Sequence, residues 1–238
     1  MTMKQVVIDK NFWTTFPDAQ INLMWISDFD NHDTDENKAD RQQLLHDATV
    51  ASEQFTKVDP FRNNPVVAEW REAYQQFKKR KGARSSIEAL LKRASQGHEF
   101  TPIEPLVDVY NSISLRYGVP LGIEDRDKIA GDLHLGLAQG GESFFPLGAE
   151  ADDPAREGEM IYYDDEGAVC RSLNWREAQR TMLTEETTNG IVVMESMNAD
   201  QAARATAAMA ELQRLIQHYF GIVPGEIKTL TQDHPTVD

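Results

Sequence analysis

Residues 189–220 read NGIVVMESMNADQAARATAAMAELQRLIQHYF and hold both kinds of element from which the fold is built. The stretch from residue 190 onward is apolar until Glu195, which predicts a buried β-strand. Asn198 is a favourable N-cap, and residues 199–220 then repeat apolar side chains at helical spacing. A buried strand followed by a long amphipathic helix predicts a fold of the α+β (mixed α/β) class.

Strand and helix patterns recur along the rest of the chain. The predicted strands lie at residues 6–8, 19–26, 132–138, 160–163, 168–171 and 190–195. The predicted helices lie at residues 35–55, 66–79, 85–97, 107–115 and 199–220. Because the sequence shows no internal repeat or interdomain linker, these elements predict one domain over residues 1–238, with helices packed around a central sheet.

The two ends of the chain complete this description. Residues 1–60 form an N-terminal α/β portion, and residues 1–4 lead into a strand-like segment and not into a signal peptide. Beyond the helix at residues 199–220 the tail is polar, and its stretch 233–235 is predicted to be mobile. No apolar run approaches the roughly 20 residues that span a bilayer. A soluble cytoplasmic protein with no membrane partner is therefore expected.

The charge of the chain limits its partners. A formal net charge of −15 disfavours non-specific binding to phosphates, and DNA is not an expected partner. Residues 70–93 differ, because they carry eight basic and two acidic side chains and a net charge of +6. The densest basic cluster is Lys78, Lys79, Arg80, Lys81 and Arg84. These side chains either contact RNA locally or solvate the outer face of two helices.

The common signatures of enzymes and metal sites are missing from the sequence. It has no phosphate-binding glycine loop, nucleophile elbow or helical histidine pair around a glutamate. The six histidines have no ligand spacing, so neither a metal nor another cofactor is expected. The acidic loop at residues 28–35 lacks the glycine and the last glutamate of a calcium loop, which favours a solvated turn. Cys170, the single cysteine, is expected to be a small buried apolar residue and not a nucleophile.

Two blocks of sequence resemble one known family. The first begins with TPIEPLVDVYN at residues 101–111 and continues through GVPL at 118–121 to DRDKI at 125–129. The second is LTEETTN at residues 183–189, followed by the apolar strand that ends in Glu195. In this order and spacing they resemble the B3/B4 editing, tRNA-binding domain in the β subunit of bacterial phenylalanyl-tRNA synthetase. The resemblance, which covers about residues 86–196, is to a free-standing version of that domain.

This resemblance implies a fold and a pocket. The family's editing domain holds the aminoacylated 3′ end of tRNA and hydrolyses the ester when tyrosine replaces phenylalanine. Such a pocket tests for the extra hydroxyl with a buried partner that phenylalanine would leave unpaired. By resemblance, Glu195 and Asn111 are pocket residues that contact the amino acid. A carboxylate at the rim of a strand is the alternative for Glu195.

The sequence also departs from the family. The family's pocket histidine falls on Gly122, and its glycine-rich turn is replaced by LNWREA at residues 173–178. In that turn, Asn174 and Glu177 cannot present the backbone to a ligand as glycines do, so the amino-acid pocket is expected to differ. Both are candidate substrate-binding residues, together with Trp175, which either walls the pocket or lies in the core. No residue is assigned a catalytic role.

Three functions are consistent with these features. The leading hypothesis is an aminoacyl-tRNA hydrolase that acts in trans by positioning a water and stabilising the oxyanion. A non-catalytic tRNA- or RNA-binding module derived from the synthetase subunit would suit the lost histidine and glycines. A small-molecule- or protein-binding domain would suit the charge of −15. A complete aminoacyl-tRNA ligase is not expected, and the sequence leaves the amino acid, the tRNA and the oligomeric state open.

Overall fold

The computed structural model describes residues 4–237, apart from the side chain of Glu36. Its helices are α1 (Lys10–Thr15), α2 (Asp35–Ala51), α3 (Glu53–Thr56), α4 (Pro65–Ala73), α5 (Ser86–Ser95), α6 (Pro105–Tyr117) and α7 (Ala199–Phe220). Its strands are β1 (Val6–Ile8), β2 (Gln20–Ser27), β3 (Gly122–Asp125), β4 (Leu133–Leu137), β5 (Met160–Asp164), β6 (Gly167–Arg171), β7 (Arg176–Glu177), β8 (Asn189–Ser196), β9 (Lys228–Leu230) and β10 (Thr236–Val237). Within these residues, none of the helices is both long enough and apolar enough to cross a membrane. The first three residues, part of the start that predicts no signal peptide, lie outside the described chain.

The strands form two sheets. One sheet has the order β10-β1-β4-β5-β6-β7, and the other has the order β3-β8-β2-β9. β1 and β4 run parallel, while the other paired strands of both sheets run antiparallel. The α+β class is therefore confirmed, with the strands divided between two sheets in place of one central sheet.

β2 and β8 form the centre of the smaller sheet and bury both of their faces. On β8, Ile191 and Val193 pack into one core cluster, whereas Val192 and Met194 pack into a second cluster with α6 and α7. Since side chains two residues apart share a face, Glu195 lies on the same side of β8 as Val193. The prediction of two buried strands is confirmed, and the alternation decides which core Glu195 faces.

The long C-terminal helix agrees with its prediction, whereas α4 does not. Asn198 caps α7 by accepting a hydrogen bond from the Gln201 amide at 2.9 Å. The prediction of a helix over residues 66–79 was wrong in its last six residues, because α4 ends at Ala73. Phe77 turns into the core, where its ring centroid lies 6.4 Å from that of Phe16. The backbone of Lys78 then forms an isolated parallel β-bridge with that of Glu159.

The C-terminal tail is ordered by its pairing with both sheets. β9 pairs with β2 and β10 pairs with β1, and Thr231 and His234 pair across the turn between them. The prediction of a mobile end at residues 233–235 was therefore wrong. The polar residues of this stretch lie in an exposed turn between β9 and β10, the edge strands of the two sheets.

The acidic loop before α2 was predicted to be a solvated turn. In the structure it also takes part in the packing. Asn31 is fully buried, and its side chain accepts from the Leu106 amide at 3.1 Å at the start of α6. Asp33 pairs with the buried Arg41, which also pairs with the buried Asp108 of α6. Arg41 is on α2 and Asp108 is on α6, so this network joins the two helices. Removing either partner would leave the other charge buried and unpaired, which is destabilising.

Candidate functional site

A cavity of about 510 Å³ lies between the two sheets. Its walls come from β3 and β8 of the smaller sheet, from β5, β6 and β7 of the larger sheet, and from α5 and α6. The Tyr162 hydroxyl donates a hydrogen bond to Glu195 Oε1 at 3.0 Å and so joins the two sheets at this wall. The volume is within the roughly 300–1,000 Å³ that small-ligand sites occupy.

The structure brings the five predicted substrate-binding side chains to this one cavity. They are Asn111 on α6, Asn174 and Trp175 in the turn after β6, Glu177 on β7 and Glu195 on β8. Substrate binding by these residues stays a prediction, but they line the same cavity although they come from distant parts of the chain.

Glu195 is a buried carboxyl group with two fixed partners. It is 2% exposed, and its Oε2 accepts a hydrogen bond from Asn174 Nδ2 at 3.2 Å, while its Oε1 accepts from Tyr162. Burial raises the pKa of Glu195 to about 7, although these two hydrogen bonds favour its charged form. Near neutral pH the group can therefore gain or lose a proton when a ligand arrives.

Asn174 orients Glu195 by binding the start of α5. Its Oδ1 accepts from the Ser86 amide at 2.8 Å and from the Ser85 hydroxyl at 3.0 Å, so its amide nitrogen must face Glu195. Asn174 thereby caps α5, whose own N-cap side chain makes no capping bond.

The turn that presents Asn174 is a constrained one. Ser172 and Leu173 have φ values of 48° and 57°, in the left-handed region that costs a non-glycine residue on the order of 1 kcal/mol. The Tyr74 hydroxyl donates to the Ser172 carbonyl at 2.6 Å, and Leu173 is fully buried. These contacts fix the turn that begins at Ser172 and Leu173, where the family has its glycine-rich turn.

Trp175 lies at the cavity wall and not in the core. It is partly exposed, and the Arg176 guanidinium stacks over its ring at 4.7 Å from the ring centroid. Of the two alternatives that the sequence left open, the wall position is the one in the structure. This aromatic and cationic pair can contact a flat or an anionic group at the edge of the cavity.

Cys170 is half-buried: it packs against the core, which agrees in part with the prediction of a small buried apolar residue, and it also lines the cavity. It is partly exposed, and its thiol donates to the Arg176 carbonyl at 2.9 Å. Burial, reinforced by nearby carboxylates, raises the pKa of the Cys170 thiol well above its usual value. The thiol therefore stays protonated at neutral pH, which argues against a role as a nucleophile.

Glu124 is the main residue that sequence reasoning missed. It lies on β3, lines the cavity and is 8% exposed. Burial and then repulsion from Glu177 raise the pKa of Glu124 well above its usual value. The neighbouring Thr181 hydroxyl favours its charged form, yet neither Glu124 Oε2 nor Thr181 Oγ1 reaches hydrogen-bond geometry with any described residue.

A signal for Glu124 was present in the sequence. Gly122, where the family has its pocket histidine, and Glu124 lie two residues apart on the same strand. Side chains at this spacing share a face, so Glu124 had to point where a side chain at Gly122 would point. β3 was not predicted, and this inference was therefore not available.

The predicted basic residues lie outside the cavity. Lys79 and Arg84 line a second groove of about 340 Å³ between α4 and α5, next to Ser85. Arg80 pairs with Asp153, and Lys79 donates to the Tyr74 carbonyl. Lys78 and Lys81 are exposed. The groove adjoins the cavity, because Ser85 lines the one and Ser86 lines the other.

The described residues contain no group of three or more histidine, cysteine or acidic side chains placed to hold a metal ion. The chemistry of the cavity is therefore described by its carboxyl, amide, hydroxyl and aromatic groups.

The fold and the cavity together define an α+β protein with a carboxyl-lined cavity between two sheets. The family model for the B3/4 domain matches residues 69–221 of this chain. The chain belongs to the B3/4 domain family, and the resemblance stated from its sequence blocks is confirmed.

The chain is also similar to β subunits of phenylalanine–tRNA ligase. It is 36% identical over 109 residues to the subunit from Ruegeria pomeroyi, which is 46% of this chain and 13% of that protein. It is 32% identical over 121 residues to the subunit from Psychrobacter arcticus, which is 51% of this chain and 14% of that protein. The aligned part is thus a small fraction of either relative.

A solved structure gives a weaker likeness. This is an N-terminal fragment of the phenylalanyl-tRNA synthetase β-subunit from Pyrococcus horikoshii, with a TM-score of 0.46 and 13% identity. The match covers 98% of this chain and 53% of that one.

Proposed function

We propose that this chain binds the aminoacylated 3′ end of a tRNA in the cavity between its sheets and hydrolyses the ester in trans. One observation carries the proposal: a cavity with a fixed carboxyl group, Glu195, adjoins a groove lined by Lys79 and Arg84. An aminoacylated 3′ end has the matching pattern, a cationic amino group beside phosphates. The relatives are named as tRNA ligases, so tRNA in the cytoplasm is the partner proposed first.

The polar groups suit the two parts of this ligand. Glu195 can accept a hydrogen bond from the α-ammonium group of the amino acid, and such charge-assisted bonds are stronger than neutral ones. Lys79 and Arg84 can contact phosphates of the last nucleotides, where affinity is expected to depend on salt. A local basic groove on a chain with a net charge of −15 would confine nucleic acid to this face.

The reaction proposed is hydrolysis by water. A water oxygen adds to the ester carbonyl carbon and the bond from that carbon to the ribose oxygen breaks. One proton of the water passes to the ribose oxygen, and the other leaves with the released amino acid's carboxyl group. Because Cys170 stays a thiol and donates to a backbone carbonyl, the proposal includes no covalent intermediate. The role of the protein is to orient the ester and the water.

A panel of tRNAs, each charged with a correct or an incorrect amino acid, tests the proposal under single-turnover conditions. The parent should hydrolyse at least one member, and Glu195→Ala should slow that hydrolysis about ten- to a hundred-fold, because one charge-assisted hydrogen bond is lost. Glu195→Ala should change affinity for uncharged tRNA much less, and the exposed-site control Glu99→Ala should behave like the parent.

Two results would contradict the proposal. The parent would hydrolyse no member of the panel, or Glu195→Ala would hydrolyse each member as fast as the parent does. A circular dichroism spectrum and a melting curve of Glu195→Ala show whether the variant is folded, so a loss of rate can be assigned to the site.

A non-catalytic tRNA-binding module is the second candidate. The replacement of the family's histidine by Gly122 and of its glycine-rich turn by residues 173–178 favours it. That function predicts binding of the charged tRNAs without faster ester loss, which filter binding on the same panel would detect.

A further inference from the structure

The three carboxyl groups of the cavity have no cationic partner. In the described part of the chain, Glu124, Glu177 and Glu195 form no ion pair. Charged groups taken out of water are costly unless they are paired, so an acidic cavity of this kind favours a cationic ligand group.

The cations closest to the site are already engaged. The Arg93 guanidinium stacks over Phe100 at 4.9 Å, and the Arg176 guanidinium stacks over Trp175. Arg180 pairs with Asp164 at 2.6 Å. Arg180 also lowers the pKa of Glu124 by attraction, but among the described residues its ion pairs are with Asp164 and Glu166, and none of the three cations forms an ion pair with a carboxyl group of the cavity.

The three carboxyl groups differ in how they are held. Glu195 has two hydrogen-bond partners, Tyr162 and Asn174. Glu124 and Glu177 have no hydrogen-bond partner among residues 4–237 in hydrogen-bond geometry, and Glu124 is more than nine-tenths buried. Because an unpartnered buried carboxyl group is costly, Glu124 requires a ligand group more than Glu195 does.

Glu124 and Glu177 belong to opposite walls. Glu124 is on β3 of the smaller sheet, and Glu177 is on β7 of the larger sheet. Both side chains line the same cavity, and Glu177 raises the pKa of Glu124 by repulsion. A cation between the two walls would face a carboxyl group on each side.

We infer that Glu124 and Glu177 form a subsite for a cationic side chain, so that the preferred substrate carries an amino acid with a terminal ammonium group, as in lysine. The inference rests on the proposed function, because it assigns Glu195 to the α-ammonium group and the other two carboxyl groups to the side chain. A purely apolar amino acid would leave Glu124 and Glu177 without a partner.

Two stable analogues of the charged 3′ end test the subsite: adenosine carrying lysine through a 3′-amide, and the same compound carrying norleucine. Norleucine keeps the carbon chain and lacks the ammonium group. The parent should bind the lysyl analogue about ten- to a hundred-fold more tightly, the range of one charge-assisted hydrogen bond. Glu124→Gln and Glu177→Gln should each remove most of this preference, measured as the ratio of the two affinities within each protein, while Glu99→Gln should leave the ratio as in the parent.

The outcomes separate the subsite from the proposed function. Equal binding of both analogues by the parent would overturn the subsite and leave the proposed function standing. A lysyl preference that survives in both Glu124→Gln and Glu177→Gln would also overturn it. If the parent binds neither analogue, the proposed function and the subsite both fail. Using two variants on different walls guards against loss of folding in one of them, which melting curves would show.

Discussion

Glu195 and Asn174 depend on each other for their positions. Glu195 holds the nitrogen of the Asn174 amide, while the oxygen of that amide binds the start of α5 at Ser86. The strand pattern and the family resemblance were enough to single out Glu195. Its contact with Asn174 could not be predicted, because it requires positive φ values at Ser172 and Leu173 that no sequence pattern indicates.

Glu124 shows a different limit at the residue scale. It stands on a strand of only four residues, which is too short for its alternation to be distinguished from a loop. Its place in the cavity also depends on β8, whose Ile191 is its partner in the sheet. The pairing of β3 with β8 therefore makes Glu124 part of the site. The local sequence indicates only that Glu124 and Gly122 are two residues apart.

The buried carboxyl group of Glu195 predicts that stability depends on pH. Burial raises its pKa in the folded chain to about 7, from an ordinary value near 4.5. The folded state thus holds this proton more tightly than the unfolded state, so the stabilisation is complete below about pH 4 and is lost as pH rises through 7. Between pH 5 and 8 the parent should lose on the order of 2 kcal/mol of unfolding free energy that Glu195→Gln does not lose.

Urea unfolding of both proteins at pH 5 and pH 8 measures this difference. The other titrating groups of the cavity are present in both proteins and cancel to first order; they are Tyr110, Glu124, Tyr162, Cys170 and Glu177. A gap between parent and variant that is the same at both pH values would mean that Glu195 is not held in a buried site.

At the scale of elements, length decided what could be predicted. β2, β8 and α7 have eight or more residues and agree with their predictions, because their periods are long enough to recognise. β7 has two residues and exists only through its pairing with β6. The end of α4 was missed because Phe77 keeps nearly helical spacing while packing from a loop.

The loop between α4 and α5 carries the basic cluster, and its structure sharpens the test of RNA binding. Arg80 is committed to Asp153, whereas Lys81 and Arg84 are exposed and pair with no described residue. If this loop contacts tRNA, Lys81→Glu with Arg84→Glu should weaken binding and lower the slope of log affinity against log salt by about 1.4 to 1.8. The physical reason is that each lost phosphate contact removes about 0.7 to 0.9 of slope.

The matched control reverses two exposed cations outside the loop, Lys10 and Arg62. Both doubly reversed proteins have the same net charge, so a general electrostatic effect would weaken them equally. Unchanged affinity and slope for the Lys81 and Arg84 variant would show that these residues only solvate the surface, which was the alternative left open by the sequence.

At the scale of the whole molecule, the chain ends complete both sheets. β1 pairs with β4 and β2 pairs with β8, so the N-terminal portion contributes a strand to each sheet. The tail does the same through β10 and β9. These pairings support the proposal that residues 1–238 form one domain, which extends on both sides beyond the matched residues 69–221.

The division of the strands into two sheets is what creates the site. One central sheet, as the sequence suggested, would leave its faces to helices and have no space between strands. Here Glu124 and Glu195 face Tyr162 and Glu177 from the opposite sheet. Strand order could not be read from the sequence, because it depends on pairings between segments as distant as β2 and β8.

The central claim is that the cavity between the sheets holds the aminoacylated 3′ end. A crystal structure of the chain with the 3′-amide analogue of the amino acid that it hydrolyses fastest tests this most directly. We predict the aminoacyl group in the cavity, its α-amino nitrogen within hydrogen-bond distance of Glu195, and the adenosine towards Ser86 and the basic groove. An analogue bound elsewhere, with the cavity still filled only by solvent, would contradict the claim.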